Sequence, residues 1–283
     1  MRLTLLTTLT MIAFAANSVL NRLAVGPGYI DAESFALVRL AAGMLVLVGL
    51  ALHQGVSLRQ PVGRLMSGGV SLTVYMIGFS LAYKSLDAGL GALILFGVVQ
   101  FTMVAWNTAM GAPLGRLQLG GGVLALAGLA LVLWPQGAVS VSLSGVLFMV
   151  LAGLGWGAYS LVGRGAQSPL GATAGNFVLS FVLTLAVLSM VGWQGHMTPV
   201  GVGLAILSGA VTSGLGYALW YTVLPRLPGP LAATVQLSVP VLAIAAGALA
   251  LGEHLDLRII LGSGIVIAGI ATVLRGGISR KVG

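Results

Sequence analysis

Long apolar runs, separated by short polar breaks or breaks at glycine and proline, are the dominant pattern along the chain. A hydrocarbon core about 30 Å thick is crossed by a helix of about 20 apolar residues. The runs of roughly this length are 4–25, 32–52, 65–84, 88–109, 117–134, 143–163, 171–192, 200–223, 230–251 and 258–275. The pattern predicts an all-α membrane protein with ten transmembrane helices. A cleaved signal peptide ending near Ala15 is an alternative for the first run.

Few residues of the chain are charged, which fits burial of most of its surface in lipid. Charged residues make up 6% and hydrophobic residues 58%, whereas soluble domains carry roughly 25% charged residues. The net charge of +8 comes from basic residues scattered singly among the predicted loops, and nucleic-acid binding needs a basic patch on one face. We therefore expect a multi-pass protein of the cell inner (cytoplasmic) membrane, with the lipid bilayer as partner and no nucleic acid.

The charged residues divide between the two sides of the predicted membrane. With a cytoplasmic N-terminus, the basic residues concentrate on the cytoplasmic side, as the positive-inside rule requires: Arg2, Arg59, Arg64, Arg116, Arg164, Arg226, Arg275, Arg280 and Lys281. The outward side holds fewer basic residues and all the acidic ones: Arg22, Lys84, Arg258, Asp31, Glu33, Asp87, Glu253 and Asp256. Because a missed helix would scramble this division, it predicts ten spans with both termini in the cytoplasm.

The two halves of the sequence resemble each other at a shift of 141 positions. Gly121 then matches Gly262, and Gly128 matches Gly269. Each half has five spans, an odd number, so the second must cross the membrane in the opposite sense. We expect a first repeat at 1–135, an inverted second repeat at 143–276 and a cytoplasmic tail at 277–283. Inverted repeats are typical of alternating-access transporters, and duplication without a transport role is the alternative.

A group of motif residues in the second half resembles the signature of a transporter family. The stretch Gln236-Leu-Ser-Val-Pro240-Val-Leu-Ala is followed by Gly247, by Leu251-Gly252-Glu253, and by Gly262 and Gly269. This pattern resembles the second-half signature of the EamA family, which belongs to the drug/metabolite transporter superfamily. The resemblance implies ten spans, inverted halves, and a carrier of amino acids, other metabolites or drugs.

The first half departs from this family pattern. Val99 stands where the motif would have its proline, and Ala112 stands where it would have its glutamate, so the two halves need not move equivalently. Within the family, the sequence as a whole looks most similar to the YddG-type aromatic amino-acid exporters. That finer resemblance implies aromatic amino acids as substrates.

Polar and aromatic residues deep within the predicted spans are candidates for a substrate-binding site, because polar groups inside a membrane usually face a cavity or a partner helix. Tyr75, Phe79 and Tyr83 recur at every fourth position and therefore share one helix face. The predicted substrate-binding residues are Asn17, Tyr75, Phe79, Tyr83, Gln100, Trp156, Tyr159, Tyr217, Gln236 and Ser238. Packing against lipid or within the core is the alternative for each of them.

Pro240 is the proline that lies well inside a predicted span. A proline removes a backbone hydrogen bond and can kink its helix. A kinked helix beside the substrate path would act as a gate, so Pro240 is the predicted gating residue.

No acidic residue and no histidine lies deep within a predicted span, and the chain has no cysteine. An enzyme would need a nucleophile with a base, or a metal cluster, at a common depth, so we expect no enzyme activity, no catalytic residue, no metal and no cofactor. Without a titratable carboxylate or imidazole we also expect no tight proton coupling. A carrier of phosphate esters would need several basic residues in its cavity to bind the phosphate group. Arg39 alone is available, and it could instead pair with a neighbouring helix or reach an interface.

This balance of groups favours a zwitterionic substrate. Amides, hydroxyls and helix N-termini would hold its carboxylate, and the faces of Trp or Tyr rings would hold its ammonium group. We predict a monomeric exporter of aromatic and other neutral amino acids that works by alternating access and facilitated diffusion. The alternatives are an exporter of drugs or other small metabolites, with or without proton coupling, and an open channel.

Overall fold

The computed structural model describes residues 2–111, 115–133, 141–227, 232 and 235–279. Most of these residues are helical: α1 (Arg2–Val25), α2 (Ala32–His53), α3 (Val62–Ala82), α4 (Ala88–Ala109), α5 (Arg116–Leu133), α6 (Leu143–Gly163), α7 (Pro169–Met190), α8 (Pro199–Arg226), α9 (Ser238–Leu251) and α10 (Leu257–Ser279). Within α8, an α-helical start leads into a π-helical segment at Ser208–Leu215, after which the α-helix resumes at Gly216–Val223.

Seven of the described helices, α1 to α4 and α6 to α8, are long and apolar enough to cross a membrane. Three further apolar stretches of 10–17 residues lie in α5, α9 and α10, at Arg116–Val132, Ser238–Leu251 and Leu257–Val273. Within the described residues, this helix content confirms an all-helical, multi-pass membrane protein, whereas the count of ten spans stays a prediction.

Some predicted features lie outside the described residues. They are Ala112, the end of the first predicted repeat at 135, the first residues of the ninth predicted span and residues 280–283 of the predicted tail. The tail residues 277–279 continue α10, which ends at Ser279.

Short polar side chains fix where several helices begin. In four cases the residue before the helix accepts a hydrogen bond from the backbone N–H three positions later: Asp31, Ser142, Ser168 and Thr198. Such N-caps satisfy donors that have no partner within the helix. In α7 and α8 the next residue is a proline, whose missing N–H costs nothing at a first helical position.

The helices of the first half interleave with those of the second. In the main pairings between halves, α3 packs on α6 and α7, α8 packs on α1 and α2, α6 packs on α4, and α9 packs on α1. The pairs α2–α7, α4–α9 and α5–α10 complete the set. Exchanging α1–α5 with α6–α10 in order leaves this set of main pairings unchanged.

The crossing of α5 and α10 depends on four glycines, the ones that match in the sequence repeat. A Cβ atom at Gly121 would lie 2.6 Å from the carbonyl oxygen of Gly269, and a Cβ at Gly269 would lie 2.7 Å from that of Gly121. Gly128 and Gly262 meet in the same reciprocal way. Since the backbones touch where side chains would otherwise stand, small residues are required here, as at many close helix crossings in membranes.

The two ends of the helix bundle differ in their charges. At one end Ile30 pairs with Met197 as an isolated antiparallel bridge, and Glu253 contacts the start of α4. All five acidic residues belong to loops or helix starts at this end, which we call the acidic end. The opposite end, which we call the basic end, carries Arg59 and Arg64, and the Nη1 atom of Arg64 donates to the carbonyl oxygen of Gly165.

Candidate functional site

A chain of buried aromatic rings runs through the middle of the bundle. Each ring centroid lies 5.5 Å or less from the next. We call this chain the aromatic column, and from the acidic end to the basic end its members are Tyr83, Phe79, Tyr75, Trp156, Tyr159 and Tyr221. The column joins α3 of the first half to α6 and α8 of the second half, so both halves build it.

The column follows from helical periodicity. Tyr75 and Phe79 on α3, and Tyr83 directly after its last residue, recur at every fourth position and present one face, as the sequence predicts. Tyr217 and Tyr221 repeat this spacing on α8, and the ring of Tyr217 lies 4.6 Å from that of Trp156. All of these side chains are at most 3% exposed, so they line the interior rather than contact lipid.

Arg39, on α2, lies against the middle of the column. Its side chain is fully buried, and its Nη2 atom donates to the hydroxyl of Tyr217 at 2.6 Å and to the hydroxyl of Tyr75 at 3.1 Å. Its Nε atom donates to Oγ of Ser213 at 2.7 Å. Its Cζ atom lies 4.9 Å from the ring centroid of Phe79, close enough for a cation–π contact.

The guanidinium group of Arg39 has no carboxylate partner among the described residues. The ion pairs among the described residues join Arg22 to Asp87 and Arg258 to Asp256, both at the acidic end. The Nη1 atom of Arg39 is buried without any hydrogen-bond partner in the described structure. The middle of the bundle therefore holds a positive charge whose hydrogen-bond partners among the described residues are hydroxyl groups.

Arg39 was absent from the predicted site residues. The signal for it was its position as the one basic residue well inside a predicted span, away from the span ends, where an ionisable side chain usually marks a functional site. Its partners lie on α3 and α8, far away in the sequence, so the sequence alone did not reveal them.

Asn17 ties α1 to the π segment of α8. Its Oδ1 atom accepts hydrogen bonds from the hydroxyls of Ser208, Thr212 and Ser213 at 2.8, 2.5 and 3.2 Å. Its Nδ2 atom donates to the hydroxyl of Tyr217 at 3.3 Å. Segments of π-helix are rare and are frequent at functional sites, and here the segment turns three hydroxyls towards Asn17 and Arg39.

The other predicted residues lie at different distances from the column. Gln236 joins it, because its Oε1 atom accepts a hydrogen bond from the indole nitrogen of Trp156 at 3.3 Å. Gln100 is buried on α4. Ser238 is exposed, donates to the carbonyl oxygen of Val235 at 2.7 Å, and lines a lateral groove between α1 and α9. The structure therefore does not bring Ser238 to the other candidates.

Pro240 lies in the first turn of α9, directly after a turn at Leu237. In a first turn the backbone N–H has no partner within the helix, so a proline costs little there. The helix is interrupted ahead of Pro240 rather than kinked at it. The role of Pro240 as a gate stays a prediction.

A cavity of about 320 Å³ lies at the basic end of the column. Its lining includes Arg59, Arg64 and the ring of Tyr221, which is the last member of the column. Gln60 donates to Oδ1 of Asn176 at 3.0 Å across this cavity, between the α2–α3 loop and α7. A solute at this end would thus meet two guanidinium groups and then an aromatic ring.

The acidic end of the column is closed by Glu253. Its Oε1 atom accepts a hydrogen bond from the backbone N–H of Ala88 at 2.7 Å, and its Oε2 atom accepts one from Gly89 at 3.5 Å. Burial raises the pKa of Glu253 above its usual range, although these bonds act to lower it. The hydroxyl of Tyr83 donates to the carbonyl oxygen of the same Ala88 at 3.3 Å, so the column ends directly beneath this contact.

A second contact closes the acidic end between the α1–α2 and α7–α8 loops. The carboxylate of Asp31 accepts hydrogen bonds from the backbone N–H of Ser34 at 2.7 Å and from the Trp193 indole at 3.3 Å. It also accepts one from the hydroxyl of Ser34 at 2.6 Å and one from the backbone N–H of His196. Burial acts to raise the pKa of Asp31, but these hydrogen bonds outweigh it and lower the pKa below its usual range.

A family model described as the EamA-like transporter family matches residues 143–275 of the chain. An uncharacterized protein of Pseudomonas aeruginosa, PA1977, is 47% identical over 275 residues, which are 96% of this chain and 94% of that protein. A probable amino-acid metabolite efflux pump of Salmonella typhimurium is 27% identical over 220 residues, 71% of this chain and 74% of that protein.

Two further comparisons concern a transporter and a fold. The uncharacterized transporter YwfM of Bacillus subtilis is 26% identical over 210 residues, which are 72% of this chain and 70% of that protein. One solved crystal structure is similar with a TM-score of 0.68 at 19% identity, covering 94% of this chain and 98% of the other. At this identity the likeness shows the fold alone.

Proposed function

We propose, since the chain belongs to the EamA-like transporter family, that this transporter exports aromatic and other neutral amino acids through the aromatic column. The observation that carries the proposal is the column itself, a buried path of rings from the basic-end cavity to the contact of Glu253 at the acidic end. Ring faces suit aromatic and apolar side chains.

Membership of this family confirms the resemblance of the sequence to the EamA transporters. The finer resemblance to YddG-type aromatic amino-acid exporters stays a prediction, and the probable amino-acid metabolite efflux pump of Salmonella typhimurium supports amino acids as the substrate class.

The carrier works by alternating access of two inverted five-helix repeats. The set of main helix pairings between halves, unchanged when the halves are exchanged, supports this arrangement. So does the reciprocal glycine crossing of α5 and α10. Because α3 supplies one part of the column and α6 and α8 supply the rest, rocking one half against the other would open the path to one end at a time.

The basic end faces the cytoplasm of the inner membrane in this proposal, and the acidic end faces outward. The positive-inside rule supports that orientation, as does the charge difference between the two ends. The described conformation is closed by Glu253 and Asp31 at the acidic end. The cavity at the basic end reaches the ring of Tyr221 in the column, whereas a cavity of about 880 Å³ at the acidic end is lined by Glu253 and by no member of the column. A substrate would thus enter from the cytoplasm, as export requires.

Transport runs down the substrate gradient, and one chain carries out the whole cycle. Among the described residues, no member of the column hydrogen-bonds a carboxylate or an imidazole, and the carboxylate of Glu253 lies beyond the acidic end of the column. The column and its surrounding contacts are built within one chain, which supports a working monomer.

Counterflow in proteoliposomes tests this proposal. Vesicles that contain the purified protein and a high internal concentration of unlabelled phenylalanine should accumulate labelled phenylalanine transiently, with a saturable rate and no requirement for a pH gradient. Exchange of cationic dyes but of no amino acid would overturn the amino-acid assignment, and a rate that never saturates would indicate a channel.

A matched pair of tryptophan variants tests whether the column is the path. Trp156→Leu removes the ring at the middle of the column and should reduce counterflow strongly. Trp106→Leu alters an exposed tryptophan on α4, which is 52% exposed, and should leave counterflow near the wild-type rate. Equal losses in the two variants would contradict a path along the column.

A further inference from the structure

We infer that the substrate carries a carboxylate and that Arg39 binds this group at the middle of the aromatic column. The inference rests on the proposed function, because it names the chemical group by which the proposed site recognises its substrate. It changes the expectation from the sequence, in which amides, hydroxyls and helix N-termini held the carboxylate.

The first step of the argument is the unbalanced charge of Arg39. Removing an ion from water is costly, so buried charges in proteins are usually paired. Arginine stays protonated in proteins, so it cannot escape this cost by losing a proton. Yet the fully buried Arg39 has no carboxylate partner among the described residues, and all five acids of the chain belong to the acidic end. An anion that enters with the substrate would supply the missing partner.

The second step is the geometry of the hydrogen bonds around the guanidinium group. Arginine binds a carboxylate best through two parallel N–H donors. The Nη1 atom of Arg39 is buried and unpartnered in the described structure, while Nη2 donates to two phenol oxygens, those of Tyr75 and Tyr217. A carboxylate can therefore take Nη1 directly and replace a phenol oxygen at Nη2.

The two phenol groups can remain useful after such a replacement. The hydroxyl of Tyr217 donates to that of Tyr75 at 2.9 Å, and both oxygens meet at Nη2 of Arg39. When a carboxylate arrives, each O–H can turn and donate to it, since hydroxyl hydrogens rotate to suit their acceptors. The same three side chains that satisfy one another in the closed structure would then surround the carboxylate with N–H and O–H donors.

The third step concerns the rest of the substrate. The ring of Phe79 lies under the guanidinium group, and the ring of Trp156 lies 5.0 Å from that of Tyr75, so an apolar or aromatic body fits beside the carboxylate. The ammonium of an amino acid can lie on a ring face. A cationic solute without a carboxylate would instead meet an unbalanced guanidinium group, and like charges placed together act against binding. Arg59 and Arg64 at the basic-end cavity favour an anionic group along the approach.

Binding of matched phenylalanine analogues to the wild-type protein tests the inference without any mutation. The probes are phenylalanine, its amide, which lacks the carboxylate, and 3-phenylpropionate, which lacks the ammonium group. The melting temperature of the purified protein in detergent should rise with phenylalanine and at least as much with 3-phenylpropionate. The amide should need an about tenfold higher concentration to give the same rise. An amide that stabilises the protein as well as the acids would overturn the inference, and so would stabilisation by none of the three.

Arg39 variants assign the carboxylate to this side chain. Arg39→Gln should lose the preference for acids over the amide, and Arg39→Lys should keep it at reduced strength, because lysine keeps the charge without the fork of donors. Arg116→Gln, which changes an exposed arginine at the start of α5, should keep the wild-type preference. A folded Arg39→Gln protein that still prefers the acids would contradict the role of Arg39; if that variant does not fold, Arg39→Lys with an unreduced preference would do so.

Failure of this inference and failure of the proposed function give different results. Amino-acid counterflow that the amide inhibits as well as the free acid does would refute the carboxylate anchor and leave the exporter intact. Binding that is specific for acids, without counterflow of any amino acid, would support the anchor and refute the amino-acid exporter.

Discussion

Neighbouring glycines on α5 allow a sharp test of the crossing between α5 and α10. A Cβ atom at Gly121 would lie 2.6 Å from the carbonyl oxygen of Gly269 and 2.7 Å from the backbone nitrogen of Val273, whereas a Cβ at Gly120 would meet nothing within 4 Å. Replacing either glycine by alanine gains about 1 kcal/mol of helix propensity, so this gain cancels between the two variants. Overpacking costs about 1–3 kcal/mol, and it applies to Gly121→Ala alone.

Thermal unfolding in detergent measures this difference. At roughly 2–4 °C per kcal/mol, Gly121→Ala should melt several degrees below Gly120→Ala. Because the crossing is reciprocal, Gly269→Ala should behave like Gly121→Ala, and Gly264→Ala, which points into open space on α10, should behave like Gly120→Ala. Equal melting temperatures within each pair would show that α5 and α10 do not cross as described.

Three other predictions concern the column and the acidic end. Gln236→Leu leaves the buried indole N–H of Trp156 without its acceptor, at a cost of about 1–3 kcal/mol, and should slow counterflow at least about fivefold. Ser238→Ala should leave the rate unchanged. Equal rates in the two variants would contradict the contact between Gln236 and Trp156. Because burial raises the pKa of Glu253, the closed acidic end binds its proton more tightly than an open one, so closure should weaken as pH rises through the raised value. Labelling of a single cysteine at the buried Ser18, in a chain that has no other, should follow this dependence and lose it in Glu253→Gln. The lowered pKa of Asp31 stabilises the fold above the ordinary carboxyl pKa, so melting temperatures of wild type and Asp31→Asn should converge as pH falls through the lowered value; a constant gap would refute this.

The helices and one face of the column could be predicted from the sequence because they depend on short-range periodicity. Apolar runs of about 20 residues mark spans whatever they pack against. The spacing of Tyr75, Phe79 and Tyr83 places them on one face before any partner helix is known. These features need only the order of residues along a single helix.

The contacts of Arg39 and Gln236 could not be predicted, because each depends on a residue far away in the sequence. The guanidinium group of Arg39 meets the hydroxyl of Tyr217, 178 positions later, and the π segment that supports this contact has no established sequence signal. Gln236 and Ser238 were predicted together, yet two positions correspond to about 200° around a helix. One side chain therefore reaches Trp156 and the other faces the lateral groove.

The π segment Ser208–Leu215 gives α8 a way to move that a regular α-helix lacks. In such a segment each backbone N–H bonds the carbonyl five residues earlier, whereas in an α-helix it bonds the one four residues earlier. A shift of these bonds by one position would turn the helix beyond the segment by about 100° without breaking it. Asn17 anchors the start of the segment, and Tyr217 and Tyr221 follow its end. The same backbone that holds the two tyrosines in the column can therefore swing them out of it while α8 stays a helix.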